Sequence, residues 1–127
     1  MDDIERLGQG MADVLTIGDS ATIEAVFSPD YVEEYPQSGE TIRGRAAIQE
    51  MLASFPDGTK PIVRGESRIT RTDDGFVGEY LLDYGPQGLY HAVGFYTVRD
   101  GKIVHGKEYF AAPFEPAPWR ARWVASS

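Results

Sequence analysis

The sequence predicts a single α+β domain in which three helices cover one face of a mostly antiparallel sheet. Two observations carry this reading. Apolar residues recur at helical spacing in the first 55 residues, and four long strand-like runs joined by tight-turn sequences fill residues 62–111. A length of 127 residues suits one hydrophobic core.

Taken in order, Ile4, Leu7, Met11, Val14 and Leu15 form one stripe of a first helix, and Gly18 follows where a left-handed residue stops it. Asp19 or Ser20 caps a short second helix carrying Ile23, Val26 and Phe27, which Pro29 closes. Residues 31–35 read as a strand and 36–44 as a turn-rich crossing. Residues 45–55 read as a third helix with Ile48, Met51 and Leu52 on its inner stripe, and 56–61 break the chain. Strands follow at 62–72, 76–84, 89–99 and 102–111. The intervening Asp73-Asp74-Gly75, Gly85-Pro86-Gln87-Gly88 and Arg99-Asp100-Gly101 tolerate turn or left-handed backbone, so consecutive hairpins are expected. Residues 113–127 are too rich in proline for a helix or inner strand, yet carry Phe114, Trp119 and Trp123. The expected organisation is a domain over 1–112 and a tail packed on it or on a second copy.

Composition excludes several functions. The 20 acidic residues against 12 Lys plus Arg give a formal net charge of −8, which repels phosphate backbones and anionic headgroups and disfavours nucleic acid and membrane as partners. Without cysteine there is no disulfide, thiolate nucleophile or sulfur-ligated metal. No apolar run approaches the roughly 18 residues of a membrane span, and Met1-Asp2-Asp3 lacks the basic start of a signal peptide, so a cytoplasmic protein is expected. His91 and His105 are isolated, Gly8-Gln9-Gly10 lies inside a helix, and Ser38 lacks a strand-to-helix elbow. Neither a metal nor a cofactor is expected.

The chain resembles the nuclear transport factor 2-like superfamily, and within it the SnoaL-like polyketide cyclase and ketosteroid isomerase relatives. The resemblance rests on Gly18-Asp19 opening the second helix, Phe27-Ser28-Pro29-Asp30 leading into the first strand, and Gly44-Arg45-Ala46-Ala47-Ile48 starting the third helix. Asp100-Gly101-Lys102-Ile103 and Glu108-Tyr109-Phe110 on the last strand complete it. It implies a cone: a strongly curved sheet around a central pocket for a small, largely apolar molecule, in a scaffold that serves enzymes and binding modules alike. In the isomerases an aspartate that moves the proton ends the first strand, where this chain has Tyr35. Their essential helical tyrosine and penultimate-strand acid appear here as Met11 and Gly94, so that mechanism does not carry over.

Strand alternation predicts which side chains share a face. With Pro86-Gln87 as a two-residue tip, Asp83 pairs with Tyr90, Leu81 with Ala92 and Glu79 with Gly94. With Arg99-Asp100-Gly101 as a three-residue loop, Tyr96 pairs with Val104 and Ala92 with Glu108. By the resemblance this face is the concave one, so Met11, Leu81, Tyr90, Ala92, Tyr96, Val104 and Phe110 are expected around the ligand. Glu79 and Glu108 would point into the same apolar enclosure, where desolvation raises a carboxyl pKa and suits it to proton transfer. Tyr35 would orient or polarise a carbonyl substrate. The expected function is binding of a small hydrophobic molecule with cofactor-free acid–base chemistry, the alternative being a non-catalytic binding or dimerisation module. The opposite face, with His91, Val93, Phe95, Ile103, His105 and Tyr109, is expected to form a homodimer contact.

Overall fold

A computed structural model describes residues 1–55 and 60–125. Helix α1 (Asp3–Thr16) begins at Asp2, whose carboxylate accepts the Glu5 N–H at 2.9 Å, and turns its Leu7, Met11 and Val14 into the core. Gly18, at φ 64°, closes it by bonding back to the Asp13 carbonyl. Asp19 caps α2 (Ser20–Val26) through the Thr22 N–H.

Strand β1 (Phe27–Tyr35) starts four residues earlier than expected and runs through Pro29. The β1–β7 register is irregular between Phe27 and Val32, so the missing proline N–H breaks no regular ladder there. The turn-rich crossing contains a further strand, β2 (Glu40–Arg43), antiparallel to β1, and α3 follows (Arg45–Ala53). The expected strand over 62–72 is two short ones, β3 (Ile62–Val63) and β4 (Arg68–Arg71), separated by Gly65 at φ 70°. Most of the expected 56–61 break lies outside the described residues. The meander then comprises β5 (Gly75–Asp83), β6 (Leu89–Arg99) and β7 (Lys102–Ala111).

The sheet runs β2-β1-β7-β6-β5-β3, with β4 also on β5, and every pairing is antiparallel except β1 with β7. It is an open, curved sheet whose concave face is covered by the helices. Leu7, Met11, Val14, Ile23, Ile48, Phe76, Leu82 and Ile103 fill the space between, with Phe27 stacked on Tyr31 at 3.9 Å.

Two registers differ from expectation. Between β5 and β6 the connection is a five-residue loop, in which the Asp83 carboxylate accepts the Gly85 N–H and the Tyr84 N–H bonds the Gly88 carbonyl. Asp83 therefore pairs with Leu89, and Tyr80, not Leu81, faces Ala92. A one-residue slip exchanges the faces of a strand. Phe76, Tyr80 and Leu82 are buried inward, whereas Leu81 and Glu79 point away. Between β6 and β7 the tip is Asp100-Gly101, both at positive φ, and this shorter tip together with a one-residue bulge after Thr97 moves the register two residues from the expected one. Tyr96 pairs with Gly106 and Gly94 with Glu108, so facing is preserved beyond the bulge. At the bulge Ile103 enters the core and Val104 is the unpaired residue.

Candidate functional site

Helices α1 and α3 and the concave side of the sheet enclose a cavity of about 560 Å³. Met11, Val14 and Leu15 line it from α1, Ile48, Met51 and Leu52 from α3, and Phe27, Tyr35 and Phe110 from the sheet. Glu40, Phe55 and Tyr84 also border it. Phe55 stacks on Tyr84, which receives the edge of Tyr90 at 5.3 Å.

Two carboxyl groups interrupt this apolar lining. Glu33 is 3% exposed and Glu108 5%, and they come from the neighbouring strands β1 and β7. Alternation along β1 puts Tyr31, Glu33 and Tyr35 on one side. Tyr31 donates to Glu33 Oε1 at 2.8 Å and Tyr35 to Glu33 Oε2. On β6, Tyr96 donates to Glu108 Oε2 at 2.5 Å. Both carboxyl groups border the same cavity, close enough for Glu33 to act electrostatically on Glu108.

Burial pushes the Glu108 pKa well above the ordinary glutamate value, and the adjacent Glu33 adds to the rise; the Tyr96 hydrogen bond opposes it. The tyrosines shift upward as well. Burial, reinforced by the neighbouring carboxyl groups, keeps Tyr31, Tyr35 and Tyr96 protonated as donors. The result is two buried carboxyl groups held in place by phenols that stay protonated.

Glycines admit those phenols. The Tyr96 ring lies over Gly94, where a Cβ would occupy its space, and the Tyr31 hydroxyl lies over Gly106 in the same way. Gly94 thus makes room for the tyrosine that holds Glu108.

Met11, Tyr35, Glu108 and Phe110 lie on the cavity wall. Ala92 and Tyr96 face inward but sit behind Glu108, in a tight crevice beneath the main cavity. Tyr90 reaches the site only through Tyr84. Three expected residues lie elsewhere: Glu79 is exposed on the outer face with Arg68 at 3.8 Å, Leu81 shares that face, and Val104 sits in the bulge. For Glu79 and Leu81 the cause is the β5–β6 loop of five residues where two were expected, and for Val104 it is the bulge between β6 and β7. Glu33, the partner of Glu108, was missed altogether. The alternation Tyr31, Glu33, Tyr35, placing an acid between two aromatics on one strand face, was the available signal.

His91 is exposed on the outer face, and His105 Nε2 lies 2.5 Å from Glu34 Oε2 on the same side. Ile103, expected on that face, is buried in the core. Among the described residues no three His, Asp or Glu side chains are grouped to hold a metal ion, and no helix is long and apolar enough to cross a membrane. In the tail a short 3-10 helix (Pro118–Trp123) carries Arg122 against Trp123. Phe114 is 80%, Trp119 75% and Trp123 68% exposed, so the expected docking of these rings on their own domain does not occur.

A helix-covered curved sheet around an apolar cavity defines a nuclear transport factor 2-like fold. The chain belongs to the SnoaL-like domain family, whose pattern matches residues 9–106. It is similar to a nuclear transport factor 2-like protein of unknown function from Burkholderia xenovorans, at 31% identity over 98% of this chain and 95% of that one, with a TM-score of 0.78. A protein of unknown function with a cystatin-like fold from Xanthomonas campestris shares the fold at 21% identity, over 88% and 92% of the two chains, with a TM-score of 0.72. So does a putative ketosteroid isomerase from Kribbella flavida, at 23% identity over 98% and 92%, with a TM-score of 0.66. A search of curated proteins returns no match.

Proposed function

We propose that the domain binds a small, largely apolar molecule in its cavity and moves a proton on it with the Glu33–Glu108 pair, without a cofactor. The observation that carries this reading is the pair itself. Two nearly buried carboxyl groups stand together at the wall of an apolar cavity, with no Lys, Arg or His among the described residues that line it. A carboxyl whose pKa is raised toward neutrality both donates and accepts a proton at working pH, the property general acid–base catalysis requires. Glu108 is the exchanging group. Tyr35, whose proton is committed to Glu33, acts as a positioning residue and not as a polariser of substrate. The cyclase and isomerase relatives suggest proton abstraction beside a carbonyl, as in cyclisation, isomerisation or dehydration.

The test begins with the ligand: the purified protein is screened by NMR against small cyclic ketones and enones, and binders are assayed for turnover. Glu108→Gln should keep binding and slow turnover by roughly a hundredfold or more. A bound ligand that the wild-type protein leaves unchanged, with Glu108→Gln altering affinity only modestly, would show a binding module instead.

A further inference from the structure

The charge of the cavity wall restricts what can enter it. Among the described residues that line it, the carboxyl groups are Glu33, Glu40 and Glu108, and none is Lys, Arg or His. Among the described residues no Lys, Arg or His forms an ion pair with Glu33 or Glu108. A buried acid without a counter-ion is costly unless a ligand supplies one, and here the acid is aimed into a cavity large enough for a ligand.

The rest of the wall suits a cation too. Phe27, Tyr35, Phe55, Tyr84 and Phe110 present aromatic rings to the cavity, and aromatic faces attract ammonium groups strongly once water is excluded. A carboxylate or phosphate would meet only like charge. From the argument above that the cavity takes a small apolar molecule, we propose that its ligands are lipophilic amines bound as ammonium ions, with the nitrogen seated against Glu33 and Glu108 and the apolar part toward α1 and α3.

Proton linkage follows from the same groups. The pair is faced by Tyr31 and Tyr35 of β1, Tyr96 of β6 and, more distantly, Tyr80 of β5; Glu40 lies at the rim, and the cavity-facing residues of α1 and α3 carry no titratable group. A cation beside the pair favours loss of the proton that burial keeps on Glu108. Amine binding should therefore release up to one proton and strengthen as pH rises, until the amine itself deprotonates.

The test uses three probes matched in ring and size: N,N-dimethylcyclohexylamine, cyclohexyl methyl ketone and cyclohexanecarboxylate. Titration calorimetry at pH 7.5 in two buffers of different ionisation enthalpy reads affinity and protons released together. The expected result is amine binding at least about tenfold tighter than the ketone, with proton release, and no binding of the carboxylate. The double variant E33Q/E108Q should lose the amine preference while still binding the ketone, which also reports that it has folded. Ketone binding equal to or tighter than the amine, carboxylate binding, or an amine preference that survives E33Q/E108Q would overturn this inference and leave the apolar cavity standing. Failure of all three probes to bind would overturn the cavity reading itself, and this inference with it.

Discussion

Replacing Glu108 with glutamine preserves the shape of the side chain and removes its ability to ionise. In the wild-type protein the folded pKa of Glu108 lies above its unfolded value of about 4.3–4.5, so between those two pH values the native state binds more protons than the unfolded chain. The stability linked to that proton is fully present below about pH 4.5 and is lost as pH rises through the folded pKa. Glu108→Gln has no such dependence. Desolvation and the neighbouring Glu33 make the charge cost several kcal/mol, while the charged form gains about 1 kcal/mol more from the Tyr96 hydrogen bond than a neutral acceptor does. The difference leaves the variant about 2–3 kcal/mol more stable than wild type at pH 9, or roughly 5–10 °C in Tm, and equal to it near pH 4. Thermal and urea denaturation followed by circular dichroism from pH 4 to pH 9 measure this directly. A variant less stable than wild type across the whole range, with the same slope against pH, would mean that Glu108 is a charged, fully satisfied structural group. Greater stability together with lost turnover is the expected signature of a working acid.

Gly94→Ala should cost about 1–3 kcal/mol in urea denaturation, because the new methyl displaces the Tyr96 ring and with it the donor to Glu108; an unchanged midpoint would count against that packing. The outer face around Phe95 and Tyr109, whose rings meet at 6.2 Å, is proposed as a homodimer contact, with Phe95 47% exposed at its centre. Sedimentation should give a dimer at micromolar concentration and a monomer for Phe95→Asp, and a monomeric wild type would reject it. Both tryptophans of the chain lie in the tail, so their emission should be water-like at nanomolar concentration and shift to the blue if the tail docks on a second copy. Truncation after Ala112 should leave the unfolding midpoint of dilute protein unchanged, since Phe114, Trp119 and Trp123 do not pack on their own domain, and a clear drop would contradict that exposure.

Local signals determined much of this fold. The stripe from Ile4 to Leu15, the cap at Asp19 and the bounds of β6 and β7 were legible because helical period, capping chemistry and strand alternation act within a few residues. The inward facing of Glu108 was legible for the same reason, since a two-residue slip leaves parity intact. Only the tertiary structure decided which acid meets it. Gly85 and Gly88 serve equally well beside a two-residue tip or inside a five-residue loop, and the loop adopted turns Glu79 outward. Glu33 becomes its partner through the parallel pairing of β1 with β7, strands some seventy residues apart, and no local pattern records that pairing. Local free energies specify elements and faces, whereas the meeting of two buried carboxyl groups is set by long-range pairing whose energy comes from the assembled core.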